Sequence, residues 1–108
     1  MYIYNVTLNV DDEIHEDWLQ WMKETHIPDV MATGMFISNR ILQVMADDPE
    51  GTTYSIQYEV RDLDTLKLYQ EVYAQKLQKE HTDRYEGHFA AFRTILRVEH
   101  DHNEASNQ

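Results

Sequence analysis

The sequence has no cysteine, only three glycines and two prolines, and few basic residues. Without cysteine, the chain cannot form disulfides, thiolate zinc sites, iron–sulfur clusters or a cysteine nucleophile, and its composition suits a reducing compartment. Lysine and arginine number 9 against 20 acidic residues, which gives a formal charge of −11. Because a surface this negative repels nucleic acid and anionic lipid, we expect neither as a partner.

Long hydrophobic runs are also missing. No apolar stretch approaches the roughly 20 residues that span a bilayer, so we expect no membrane association. The start lacks a basic segment followed by an apolar run, so we expect no signal peptide and a cytoplasmic location. The three glycines form no phosphate-binding loop. The histidines lack the H-x-x-x-H and H-E-x-x-H spacings of metal sites, and we therefore predict neither a metal nor a cofactor.

The 108 residues, a length typical of one domain, alternate between strand and helix patterns. Branched and aromatic residues, often with a period of two, predict strands at 2–10, 35–45, 53–60 and 89–98. Helical spacing predicts a first helix, capped by Asp11 or Asp12 and running to about Thr25, and Pro28 then opens a short turn. A second helix is predicted from an Asp62 or Asp64 cap to a stop at Gly87. The apolar positions that define the two helices are Ile14, Trp18, Trp21 and Met22, and Leu63, Leu66, Tyr69, Val72, Tyr73 and Leu77.

The order strand-helix-strand, strand-helix-strand is the split βαβ pattern. It predicts an α+β, ferredoxin-like βαββαβ sandwich, in which a four-stranded antiparallel sheet carries two helices on one face. We expect this domain to cover residues 1–99 and a polar, acidic tail at 100–108 to be disordered.

The two faces of this sheet differ in predicted composition. The side chains expected toward the helices are Tyr4, Val6, Leu8, Ile56, Tyr58, Phe92 and Leu96. Those expected on the opposite face are Ile3, Asn5, Thr7, Ser55, Gln57, Arg93 and Ile95. Because the second set is too apolar for a solvated face and too polar for an ordinary core, we predict a homodimer that pairs through this face around a small-molecule pocket.

Five segments of the chain resemble a known family. Trp18–Val30 and Gly34–Phe36 are similar to the W-x-x-W-x-x-x-x-H-I-P…G-F stretch of dimeric α/β-barrel proteins, and in particular to an uncharacterised bacterial domain of unknown function. Tyr4–Thr7, Gln78–Thr82 and Phe89–Thr94 extend the similarity over nearly the whole chain. The resemblance implies the ferredoxin-like dimeric barrel. Its superfamily includes cofactor-independent monooxygenases, haem-degrading oxygenases, small isomerases and proteins with no known activity, so the chemistry stays open.

Two residues are candidates for catalysis. His26 lies where the first helix breaks; it could exchange protons near neutral pH, or its ring could cap the last carbonyls of that helix. Asn5 could orient a substrate carbonyl or an oxygen species, or bond only to neighbours. Haem-degrading relatives resemble this chain in using a first-strand Asn with a His and a Trp. Here Trp18 and Trp21 lie on the first helix, which argues against haem chemistry.

Five residues are candidates for ligand binding. Thr7 and Gln57 are expected on the pocket side of the sheet. The forked guanidinium groups of Arg40 and Arg93 could clamp a carboxylate, or pair with an acidic residue. His81 could stabilise the end of the second helix, or point into the pocket.

Three functions fit these residues. The first is small-molecule binding in a pocket between paired sheets. The second is a cofactor-independent enzyme, monooxygenase-like or isomerase-like, with His26 as the proton carrier. The third is a structural or protein-interaction module whose acidic surface meets a basic partner.

Overall fold

The computed structural model describes residues 1–46 and 50–103. The sheet has the strand order β2-β3-β1-β4, and every neighbouring pair is antiparallel. The predicted ferredoxin-like βαββαβ fold is therefore confirmed. In chain order the elements are β1 (Tyr2–Val10), α1 (His15–Trp21), a π-helical segment (Met22–His26), α2 (Ile27–Met31), β2 (Ser38–Gln43), β3 (Thr52–Val60), α3 (Leu63–Val72), α4 (Ala74–Tyr85) and β4 (Phe89–Arg97).

The core lies between the helices and one face of the two central strands. Successive side chains of a strand point to opposite faces, so β1 and β3 each bury every second residue against the helices. The buried set is Tyr4, Val6, Leu8, Val10, Tyr54, Ile56, Tyr58 and Val60. These strands consequently hold the helices over one face and leave the other face uncovered in the single chain.

The first helix begins differently from the prediction. Its N-cap residue is Ile14, with no side-chain cap, so the expected cap by Asp11 or Asp12 is wrong. The Asp11 carboxylate lies 3.2 Å from Nδ1 of His88, and that of Asp12 accepts a hydrogen bond from the Thr52 hydroxyl at 3.0 Å. Asp11 and Asp12 therefore connect the loop between β1 and α1 to the residue before β4 and to the start of β3.

The helical backbone also continues past the predicted end at Thr25. The π-helical segment Met22–His26 leads directly into α2, which ends at Met31. Pro28 lies in the first turn of α2, directly after the π-helical segment, and it has no backbone N–H to donate to the preceding turn. A π-helical turn carries one extra residue and is frequent at functional sites.

The second helical region starts as predicted, because the Asp62 carboxylate accepts a hydrogen bond from the Thr65 backbone N–H at 2.7 Å. The region is divided at Tyr73 into α3 and α4. Leu63 and Val72 are exposed, so their predicted place in the apolar stripe is wrong. The region stops before Gly87, whose φ of +83° is a left-handed conformation that glycine adopts without strain.

The side chains of the last strand, β4, point to the faces of the sheet opposite to those predicted. In the antiparallel pairing Val6 lies opposite Arg93 and Thr7 opposite Phe92, and residues directly opposite each other share a face. Arg93 and Ile95 therefore lie on the helix side, while Phe92 and Leu96 lie on the open side, so all four assignments are wrong. The composition of β4 predicts that Phe92 and Leu96 lie in the core, but Phe92 is 62% exposed in the single chain.

Two predicted regions fall partly outside the described residues. Residues 47–49, between the strands predicted at 35–45 and 53–60, lie outside them, as do residues 104–108 of the tail. Gly51 is described: a Cβ there would come within 2.9 Å of the Val10 carbonyl oxygen. The domain boundary at residue 99 and the disorder of residues 100–108 stay predictions.

Within the described part of the chain, no helix combines the length and the apolarity that a membrane crossing requires. The cytoplasmic location stays a prediction.

Candidate functional site

A cavity of about 220 Å³ lies between the helices and the sheet. Strands β1, β3 and β4 form one wall, and the π-helical segment, α2, α3 and α4 form the other. The apolar lining includes Val6, Leu8, Met22, Val30, Ile56 and Leu77. The polar lining includes Tyr4, His26, Gln78, His81, Thr82 and Arg93. The site is thus a chamber that combines an apolar lining with several polar groups, as small-molecule sites do.

The cavity opens beside Arg93. Four of its lining residues, Tyr4, Gln78, Thr82 and Arg93, also border a shallow groove on the outer surface. Arg93 and Thr82 are exposed, whereas Met22, Val30 and Ile56 are fully buried. The positive charge therefore lies at the mouth, and the apolar residues form the floor.

His81, on α4, is buried at the cavity, with 6% exposure. The Trp18 indole Nε1–H donates to its Nε2 at 2.9 Å, and the Phe89 ring lies edge-on at 4.4 Å between centroids. Burial, together with the nearby His26 and Arg93, lowers the pKa of His81 to about 4. The ring is consequently neutral at pH 7. His81 lines the cavity between helices and sheet rather than the predicted pocket between paired sheets, and its role in ligand binding stays a prediction.

His26 ends the π-helical segment on the other side of the cavity. Its ring stacks on Trp21 at 5.2 Å and lies 5.6 Å from the ring of His81. Burial lowers the pKa of His26 to about 4; Asp29 opposes the shift and Arg93 adds to it. The helical backbone continues beyond His26, so it cannot cap a helix end there, and that interpretation is wrong.

Three tyrosines line the cavity beside the histidines. Burial raises the pKa of Tyr4, Tyr58 and Tyr69, and the Arg93 guanidinium partly opposes this rise at Tyr4 and Tyr69. Arg93 and Gln78 also act on the Tyr4 hydroxyl in the direction that lowers its pKa. All three hydroxyls therefore stay protonated at neutral pH and provide hydrogen-bond donors without negative charge.

Asn5 lies on the open face and is occupied by its neighbours. Its Nδ2 donates to the hydroxyl oxygens of Thr7 and Thr94, both at 3.1 Å, and its Oδ1 accepts from Ser55 at 2.6 Å. Both amide hydrogens and the oxygen are thereby used. The structure shows the interpretation in which Asn5 bonds to neighbours, and a role in orienting a substrate stays a prediction.

Gln57 and Arg40 extend this network. Gln57 donates to the Ser55 hydroxyl at 3.4 Å and accepts from the Arg40 guanidinium at 3.1 Å. Both therefore lie on the open face with Asn5 and Thr7.

The predicted site residues consequently separate into two groups on opposite faces of the sheet. His26, His81 and Arg93 meet at the cavity, whereas Asn5, Thr7, Arg40 and Gln57 lie on the open face. The sequence reasoning missed Tyr4, Gln78 and Thr82 as lining residues. Gln78 lies three residues before His81 and four before Thr82, and these helical spacings could have identified the two residues.

Asp11, Glu13 and His88 bring potential metal ligands together outside the cavity; their ligand atoms all lie within 4.8 Å of one another. Nδ1 of His88 is 3.2 Å from the Asp11 carboxylate and 3.7 Å from that of Glu13. The three side chains are half-buried or exposed, and this geometry is that of an ordinary surface ion pair.

Comparisons with known proteins agree with this architecture. The family model described as "Domain of unknown function (DUF4286)" matches residues 1–99. A search of curated proteins by sequence gave no match.

Solved structures of low sequence identity share the fold. A dimeric ferredoxin-like protein from an uncultured marine organism superposes with a TM-score of 0.70 at 14% identity, covering 96% of this chain and 100% of its own. SnoaB from Streptomyces nogalater, a cofactor-independent oxygenase, gives 0.65 at 9% identity, with 95% and 98% covered. An ethyl tert-butyl ether degradation (EthD) family protein from Bacillus halodurans gives 0.63 at 12%, with 91% and 99% covered.

Proposed function

We propose a function from the premise that this chain belongs to the DUF4286 family, a family of domains of unknown function, and has a ferredoxin-like fold. The proposed function is to bind a small, single-ring molecule with an anionic oxygen in the cavity between helices and sheet. The observation that supports it most is an apolar chamber whose mouth carries Arg93 and whose walls carry two neutral histidines, His26 and His81.

The size of the cavity limits the ligand. An apolar cavity of roughly 150 Å³ in another protein holds benzene. The cavity of about 220 Å³ in this chain therefore suits one ring with a short substituent. A fused three-ring compound would require the walls to move.

The charges around the mouth favour an anion. Arg93 carries a permanent positive charge, while the rings of His26 and His81 are neutral at pH 7 because burial lowers their pKa to about 4. A carboxylate or phenolate at the mouth would gain a charge-assisted hydrogen bond from the guanidinium. This local charge contrasts with the net charge of −11 of the whole chain.

Calorimetry with benzoate tests this proposal, since benzoate has one ring and one carboxylate. We expect Arg93→Gln to weaken binding about tenfold or more, the usual worth of a charge-assisted hydrogen bond. Arg40→Gln is the matched control, because it removes an arginine from the open face and should leave the affinity unchanged. Absence of binding to a panel of single-ring acids, or equal losses in the two variants, would refute the proposal.

A second candidate is a cofactor-independent enzyme. Its specific support is His26, an unprotonated ring 5.6 Å from the ring of His81 and on the same cavity as Arg93. A neutral histidine can accept a proton from carbon, while the arginine stabilises the enolate that forms. The fold shared with a cofactor-independent oxygenase makes such chemistry a reasonable candidate.

Proton exchange at the benzylic carbon of phenylpyruvate in deuterium oxide, followed by NMR, tests this second candidate. His26 would take the carbon-bound proton, exchange it for a deuteron from the solvent, and return that deuteron to the same carbon. We expect His26→Asn to reduce the protein-dependent exchange at least tenfold, while His100→Asn leaves it unchanged. If wild type gives no exchange above buffer, the enzyme candidate fails and the binding proposal remains.

We also propose that two copies pair through the open face of the sheet. Phe92, Leu96 and Leu42 expose apolar surface there, and single chains rarely leave such a face in water. A similar structure is described as dimeric. Sedimentation should give twice the mass of 12.9 kDa for wild type and the single mass for Phe92→Glu. Leu68→Glu, an equally drastic change on exposed surface of α3, should remain dimeric.

A further inference from the structure

Trp18 contacts His81 in a way that restricts which of its ring nitrogens carries the proton. Trp18 is completely buried, and its Nε1–H lies 2.9 Å from Nε2 of His81. An indole N–H can donate a hydrogen bond but cannot accept one. Nε2 of His81 must therefore present its lone pair, and a neutral imidazole with a lone pair on Nε2 carries its proton on Nδ1.

The alternative states of His81 are unfavourable at this place. A proton on Nε2, in the other tautomer or in the imidazolium, would point an N–H at the N–H of the indole. Two donors would then meet inside the protein without an acceptor, which folded proteins avoid. The charged groups near the ring do not favour the imidazolium, since Arg93 is positive and the neighbouring His26 is itself neutral.

The second nitrogen of His81 faces the cavity. Among the described residues, the side chain of His81 makes one hydrogen bond, the one from Trp18, and no side-chain nitrogen or oxygen is both fully buried and without a partner. Nδ1 is therefore accessible, and the space that His81 lines is the cavity.

We infer that Trp18 is a positioning residue that makes His81 a fixed Nδ1–H donor, so that the cavity selects ligands with a hydrogen-bond acceptor such as a carbonyl, carboxylate or phenolate oxygen. Trp18 has no place in the cavity lining and acts only through His81. This inference rests on the proposed binding function and adds a donor inside the chamber to the positive charge at its mouth.

The protonation of His81 can be read without any ligand. Long-range ¹H–¹⁵N correlation spectra distinguish the two tautomers of each histidine in uniformly ¹⁵N-labelled protein. We expect wild type at pH 7 to show His81 protonated on Nδ1. Trp18→Phe keeps an aromatic ring but removes the N–H, and should shift His81 toward the Nε2–H form that free histidine prefers in water. Trp21→Phe is the control, because Trp21 lies 5.8 Å from the His81 ring and gives it no hydrogen bond among the described residues.

The selection of ligands is tested with two probes of the same shape. Acetophenone presents a carbonyl oxygen where α-methylstyrene presents a CH₂ group. Wild type should bind acetophenone about tenfold more tightly, and this ratio should fall toward one in Trp18→Phe and stay near ten in Trp21→Phe.

The outcomes separate the inference from the proposed function. His81 protonated on Nε2 in wild type, or an unchanged tautomer in Trp18→Phe, would overturn the inference. Equal binding of both probes would also overturn it while leaving the binding function in place. If neither probe nor benzoate binds, the proposed function fails, and with it the selection of ligands, while the spectra still decide the role of Trp18. If Trp18→Phe does not fold, the wild-type spectrum and the wild-type probe ratio decide.

Discussion

The two faces of one sheet use polar residues in different ways. On the open face, Asn5, Thr7 and Gln57 bond to one another and to adjacent strands. On the helix face, His26 and Arg93 surround empty space instead. Polar groups that satisfy each other stabilise a surface, whereas polar groups that line a cavity have capacity left for a ligand. The comparison therefore supports the proposal that a ligand binds on the helix side.

The largest expected difference between the faces is in stability. Ile56, on the central strand β3, is 1% exposed on the helix face. Replacing it with alanine removes buried methyl groups and leaves a cavity, so we expect a loss of about 3 kcal/mol in the free energy of unfolding. Gln57→Ala, one residue away on the open face, should cost under about 1 kcal/mol. Urea unfolding of the two variants checks this. Equal losses in the free energy of unfolding would contradict the expected difference between the two faces.

A pH dependence of stability sharpens the comparison. The pKa of His26 is about 4 in the folded chain, against 6.5 for an ordinary histidine. Between these values the unfolded chain binds a proton that the folded chain does not, so stability falls as the pH falls. From pH 8 to pH 5 this linkage amounts to about 2 kcal/mol for His26.

Urea unfolding at pH 8 and pH 5 measures this linkage. The loss of stability in His26→Phe should be about 2 kcal/mol smaller than in wild type. His100→Phe, at an exposed position, should behave like wild type. An unchanged pH dependence in His26→Phe would show that its ring is solvated rather than enclosed at the cavity.

The smallest expected effect concerns the network of the open face. Asn5→Ala leaves the Ser55 hydroxyl without its acceptor, so we expect a loss of about 1 kcal/mol in stability. Asn9→Ala, nearer the strand end, removes hydrogen bonds to Glu50 and Thr53 and should cost less. Neither variant should alter benzoate affinity. A large loss of benzoate affinity in Asn5→Ala would indicate that the ligand binds on the open face.

The sequence allowed the element order to be predicted because its hydrophobic periods are long and regular. The alternation in 2–10 and 53–60 identified strands β1 and β3 and their buried faces correctly. The composition of β4 does not show which of its side chains face the helices. Phe92 and Arg93 are neighbours, and a shift of one residue in the pairing exchanges the two faces. Pairing with β1 settles this, and pairing is a contact between distant parts of the chain.

The candidate site was predicted in part. His26 and His81 could be identified from the sequence as histidines at helical positions, but their meeting depends on how two helical regions pack on the sheet. The same packing brings Trp18 to His81, 63 positions apart in the chain. The spacing of apolar residues indicated that Trp18 belongs to the core, and no local pattern indicates its hydrogen bond.

Chemical-shift mapping during a benzoate titration tests the central claim most directly. The backbone resonances of His26, His81 and Thr82 and the ring resonances of the two histidines should shift and saturate together. The backbone resonances of Thr7, Gln57 and Thr94 should stay in place. Shifts confined to the second group would show that the ligand binds on the open face, and would contradict the assignment of function to the helix-covered cavity.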